Sequence, residues 1–236
     1  MPKRSLSSAR VRWRSSPGCR TGVGLLLLLI LGIAPAGAQL RLDRIAPLDN
    51  DGPLGYFVSA PTATEGARAG DAELCVWALA DWVRQAAGRL AVEPAPEAEA
   101  RIRIYFVAPG MGQYGEMRAI RVGNRRGAEV YVRPATDALG PDIALAARND
   151  PLLRETIVYL TCLHELGHAL GLTHTALFDD VMYSFGFGGD IPQFFNRYRS
   201  RLEARHDIRS ESGLSAGDVA ALLAVYPEVL NASVNK

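Results

Sequence analysis

Apolar and polar positions recur with two different periods along this chain, and the changes between them mark its elements. From Asp71 to about Gly88, Cys75, Leu79, Trp82 and Ala86 fall at helical spacing, which predicts a helix capped by Asp71 with one face in a core. Arg101-Ile102-Arg103-Ile104-Tyr105-Phe106-Val107 alternates and then runs apolar, as a half-buried strand does. Two more strands are predicted over residues 116–122 and 128–133, split by the turn Gly123-Asn124-Arg125-Arg126-Gly127. Asn149 or Asp150 with Pro151 is a helix start, and that helix runs to about Leu170. Along it Val158, Tyr159, Cys162, Leu163, Leu166, Ala169 and Leu170 gather on one side. Residues 193–206 read as a further polar helix with Phe194, Phe195, Tyr198 and Leu202 on one side. The rest connects these pieces. Residues 39–70, rich in Pro, Gly, Ala and Thr, are an extended lead-in with one strand at 56–59, and residues 91–100 are a loop.

The opening of the chain has a different pattern. Lys3, Arg4, Arg10, Arg12, Arg14 and Arg20 precede an apolar run at residues 23–33, and Ala36-Gly37-Ala38 follows it. A basic leader, a short apolar run and a small-residue site together predict a secretory signal over residues 1–38, with the mature chain starting at Gln39. The run is short against the ~20 residues of a spanning helix, so no stable membrane anchor is expected after cleavage. Cys19 precedes the run instead of ending it, which argues against a lipoprotein anchor. The expected location is secreted or periplasmic, outside the cytoplasm. The signal also changes the charge reading. The whole chain has 26 basic and 25 acidic residues, and without the six leader cations the balance is 20 against 25. A mildly acidic domain of this kind does not suit nucleic acid as partner, and its length suits one domain with a real core.

Candidate chemistry concentrates in His164-Glu165-Leu166-Gly167-His168-Ala169-Leu170-Gly171-Leu172-Thr173-His174, which holds three of the four histidines. Residues four apart share a helix face, so His164 and His168 can turn their imidazoles toward one point. A catalytic zinc takes three protein ligands and keeps one position open, so a third donor is needed. On a continuing helix His174 would point about 240° away from His168, at roughly 100° per residue. The helix must therefore end first, and Gly171 stands where a left-handed glycine stops it and swings His174 back to the metal. Glu165, beside the first ligand, is placed to act as general base on water.

With Gly171, His174 and Met182 in register, residues 153–183 resemble the metzincin zinc proteases, and within them most the matrixin, or matrix metalloproteinase-like, group. Thr175 after the third histidine, Met182 eight residues past it, and Val181-Met182-Tyr183 favour that branch. Residues 214–226 are similar to the closing helix of those catalytic domains. The resemblance implies a mixed α/β, zincin-like catalytic domain at 71–230, with a twisted, mostly parallel sheet, two long helices and a small helical C-terminal part. It implies one zinc ion held by His164, His168 and His174, Glu165 as base, and Met182 as the apolar floor below the metal. The implied activity is that of a secreted zinc-dependent endopeptidase acting on protein or peptide substrates bound in extended form. An edge strand of the sheet pairs with substrate in metzincins, which makes residues 116–122 the candidate edge; a plain structural hairpin is the alternative. Phe185 and Phe187, after the methionine turn, are candidates for walling a specificity pocket or for filling core. His206 reads as a surface residue.

Departures from the family pattern also carry expectations. Between Ala108 and Val130 the chain has no histidine and no aspartate, so neither a second, structural zinc nor calcium is expected there. No cysteine-switch propeptide is present, since the only cysteine before Cys75 is Cys19. A zinc-containing peptide- or protein-binding module without turnover is the alternative function, and intact Glu165 speaks against it. Finally, in metzincin-like folds the helices carrying Cys75 and Cys162 pack on one face of the sheet. With export, that suggests a disulfide between them, two buried free thiols being the alternative.

Overall fold

The computed structural model describes residues 45–110 and 114–228, so the expected signal at 1–38 and the start at Gln39 lie outside the described residues. Within them, mixed α/β architecture forms around one five-stranded, mostly parallel sheet and five α-helices. The strands are β1 (Leu54–Val58), β2 (Val92–Pro94), β3 (Ile102–Phe106), β4 (Gly115–Val122) and β5 (Arg125–Val132), in the order β2-β1-β3-β5-β4. All neighbours run parallel except β4, which lies antiparallel to β5 at the edge. The alternation read in β3 is realised: Ile102, Ile104 and Phe106 are buried while Arg103 and Tyr105 are half-buried. On β5, Ala128, Val130 and Val132 face the same core.

Helices α1 (Asp71–Gln85) and α3 (Pro151–Ala169) pack together on that sheet. The stripe Cys75, Leu79, Trp82 and Ala86 is buried as its period requires. Trp82 donates its indole N–H to the Leu163 carbonyl at 2.8 Å, which fixes the register of the two helices. Asp150 caps α3 by accepting from Leu152 N and Leu153 N, with Pro151 in the first turn. Asp71 is not a cap. Gly70 occupies that position, and the Asp71 carboxylate instead forms a buried ion pair with Arg154 of α3. A second buried acid, Asp81, accepts from Tyr159 OH, Ser212 Oγ and Gly213 N, and so ties the C-terminal segment to both helices.

Several expectations change in detail. The lead-in segment supplies β1, which lies between β2 and β3, and Leu54 is fully buried. The loop at 91–100 contains β2, whose three residues pair with β1. The expected five-residue turn is a two-residue connection, because β5 already begins at Arg125. A nine-residue helix, α2 (Pro141–Asn149), precedes α3 and has no counterpart in the periodicity reading. The helix expected over 193–206 is α4 (Ile191–Arg199), which stops at Ser200; Leu202, beyond its end, is still buried. Helix α5 (Ala216–Val225) closes the described chain behind the cap Ser215. Cys75 and Cys162 are free and buried, not bonded. Helix packing does bring them together: burial, and then a hydrogen bond with Cys75, push the Cys162 thiol up.

Candidate metal centre

His164 and His168 stand one turn apart on α3, and the helix ends one residue beyond His168. Gly171 then takes φ +101°, a conformation that favours glycine, and its Cα hydrogens lie against Pro47: an added Cβ would come within 2.8 Å of the Pro47 nitrogen. The chain doubles back here, with Leu172 N donating to Gly167 O at 2.9 Å. His174 returns to the helix, and its Nε2 lies 3.1 Å from Nε2 of both His164 and His168.

The far side of each helical imidazole is fixed by a carbonyl. His164 Nδ1 lies 2.6 Å from Val181 O, and His168 Nδ1 lies 2.9 Å from Leu172 O. Carbonyl oxygens only accept, so both Nδ1 atoms carry the proton and both Nε2 atoms present lone pairs. His174, with at most one proton on Nε2, cannot satisfy both. Burial first, then its histidine neighbours, hold the His164 imidazole down to about 3, and burial lowers His168 and His174 as well, so all three stay neutral. Three neutral imidazoles with converging lone pairs could hold a metal ion. The fourth histidine, His206, is exposed beside Asp207, outside this cluster.

Below the histidines lies a loop held by carboxylates. Thr175 pairs with Tyr183 across a single bridge, through Thr175 N to Met182 O and Ser184 N to Thr175 O. Asp218 of α5 accepts from Val181 N at 2.8 Å, Met182 N at 3.2 Å and Ser215 N at 2.9 Å. Asp180 accepts from Thr175 Oγ1 and Ser215 Oγ. Met182 is buried with its sulfur filling the space beside Gly167, on the turn between the two helical ligands. Asp180 and Asp218 were not among the residues the sequence singled out. Ser215-Ala216-Gly217-Asp218 is legible as a helix start, but the bonds from Asp218 to Val181 and Met182 cross more than thirty residues.

Glu165 is buried, and its carboxylate packs directly against Gly115 at the start of β4, where no Cβ would fit. Burial, and then the charge of Glu116, raise it to about 8; a cation held by the histidines would draw it back down. His164, His174 and Glu165 all border a cavity of about 270 Å³. Its apolar wall includes Leu139, Val181, Tyr183, Phe185, Phe194 and Phe195. Of the two phenylalanines after the methionine, Phe185 therefore lines this cavity and packs on Phe194, while Phe187 is mostly exposed. No protein-family model matches the chain, and no curated protein matches it.

Proposed function

We propose that this chain is an exported, zinc-dependent endopeptidase of the matrixin-like kind, with His164, His168 and His174 as the zinc ligands and Glu165 as the base. One observation carries the reading: His174 Nε2 lies 3.1 Å from each of the two proton-free Nε2 atoms, and the ligand atoms of all three residues lie within 4.8 Å of one another. Zinc with nitrogen ligands at about 2.0–2.1 Å in a tetrahedron sets those nitrogens about 3.3–3.4 Å apart, close to the two separations from His174. Bound there, zinc would supply Lewis acidity, acidifying water and polarising a carbonyl.

The chain's own groups account for the remaining work. Glu165 takes the proton of the attacking water and delivers it to the leaving amine nitrogen, so that the C–N bond breaks with a neutral leaving group. Edge strand β4 begins beside Glu165 and has no strand partner on its outer side among the described residues, so an extended peptide can lie along it. The aromatic cavity beside His164 receives one large apolar side chain of that peptide and keeps water from the neighbouring bond. The export part of the reading rests on the basic, apolar and small-residue pattern of residues 1–38.

The test is elemental analysis combined with a peptidase assay. One zinc per chain is expected, with hydrolysis abolished by a chelator and restored by zinc. Glu165→Ala should keep the zinc and lose at least ~100-fold in hydrolysis, the scale of general acid–base help. A protein without zinc, or full activity in that variant, overturns the proposal.

A further inference from the structure

Helix α4 stands between the aromatic cavity and the loop that carries the third histidine. Phe194, in its first turn, walls the cavity and packs on Phe185 with 5.1 Å between ring centres. Arg197 follows three residues later on the same helix face and lays its guanidinium over the Phe194 ring at 4.2 Å. The same guanidinium reaches the loop below the metal centre. It donates to the Phe178 carbonyl and, at 3.3 Å, to the Asp180 carbonyl, and it pairs with the exposed Asp179 carboxylate at 3.5 Å.

Residues 176–180 have no ladder or helix to satisfy their carbonyls, so donors must come from outside the segment. A planar guanidinium can serve two carbonyls and a ring face at once, which a compact ammonium cannot. Asp180 then carries the hold onward. Its carboxylate accepts from Thr175 Oγ1 at 2.7 Å, and Thr175 directly follows His174. Phe178 closes the same group from the other side: Arg197 lies over its ring at 5.5 Å, and the ring packs on Tyr183 and Phe194 at 5.2 and 5.8 Å. The neighbouring cations Arg199 and Arg201 pair with Asp150 and Glu211 instead.

We propose that Arg197 is a positioning residue for the reaction. It fixes the wall of the aromatic cavity and, through Asp180 and Thr175, the third zinc ligand, so that metal affinity and selection of a large apolar side chain depend on one guanidinium. Arg197 does not itself line the cavity, and acts through Phe194 and Asp180. The proposal rests on the peptidase reading for what the cavity and the metal do.

Arg197→Met tests it, because the variant keeps an unbranched stem and removes the donors and the charge. Zinc affinity is read by competition titration. Side-chain selection is read by fluorescence anisotropy, with labelled peptides carrying Phe or Ala for the aromatic cavity and zinc-loaded Glu165→Gln as the background, so that neither readout needs turnover. Zinc affinity should fall about 10-fold, the low end for partners that orient a ligand. The Phe-over-Ala affinity ratio should fall about 10-fold as well, the scale of a loosened apolar pocket. Arg197→Lys keeps the charge without the planar fork and should lower both by at least ~3-fold, which decides the matter if the Met variant does not fold. Arg201→Gln should change neither. A folded Arg197 variant that loses Tm but keeps both zinc affinity and the Phe preference marks the residue as structural and overturns the proposal. A fall in one quantity without the other overturns it too, as does a wild type with no Phe preference. Wild type that binds zinc and prefers Phe but cuts nothing removes the peptidase reading and leaves this test intact; unchanged Arg197 variants of an active peptidase remove the proposal and leave that reading.

Discussion

His164 and His168 ride on a 19-residue helix that is buried along nearly its whole length, capped by Asp150 and fixed by the Trp82 indole and the Arg154–Asp71 pair. His174 rides on a loop with no regular structure beyond one bridge, and two buried aspartates from outside the helix hold the turn beneath it. The helix would stand without the metal centre, because its side chains are engaged with the core on every turn. From Thr173 to Asp179 the loop buries no side chain, its buried Leu172, Val181, Met182 and Tyr183 lying at the two ends, and carboxylates accepting main-chain N–H and hydroxyl groups shape the rest. Rigidity of the upper half therefore comes from packing, and that of the lower half from packing at its ends together with hydrogen bonds to charge.

Substitutions can pull these two supports apart. Arg154→Ala leaves Asp71 buried without its partner and should cost about 3–5 kcal/mol of stability in denaturant unfolding, while the zinc affinity of the folded protein changes by less than about 3-fold. Zinc affinity falling with stability there would mean the two halves are not separately supported. Asp218→Ala strips the acceptor from Val181 N, Met182 N and Ser215 N. It should cost about 2–3 kcal/mol and, through the Val181 carbonyl that orients His164, weaken zinc binding about 10–100-fold in a competition titration. Gly115→Ala pushes a methyl group onto the Glu165 carboxylate and should lower kcat at least ~10-fold with zinc content unchanged. His206→Gln, at an exposed position outside both halves, should leave zinc content intact and stability within about 0.5 kcal/mol.

The same contrast decides what could be read from the chain. Helix α3 and strand β3 were legible because burial imprints a period, and Gly171 because a helix that must bring His174 back has to stop there. Strand β2 was not, since three residues with a proline carry no alternation. Nor was α2, whose inner face is one isoleucine and two alanines. Asp180 and Asp218 escaped because a carboxylate that holds a distant loop leaves no local pattern. The family resemblance, not periodicity, suggested that the helices carrying Cys75 and Cys162 pack together, and whether a bond forms depends on the approach of the two sulfurs, which spacing along a helix does not set.

The carbonyls of Val181 and Leu172 have a consequence for which metal the site would take. They leave three uncharged nitrogen donors and no carboxylate or thiolate in the set. Hard cations such as magnesium and calcium, which want oxygen, are poorly served by it. Copper is not, for in the general affinity order it outranks zinc at nitrogen sites. Discrimination between those two ions is thus absent from the ligands themselves, and the ion acquired follows the metal supply of the compartment where the chain folds.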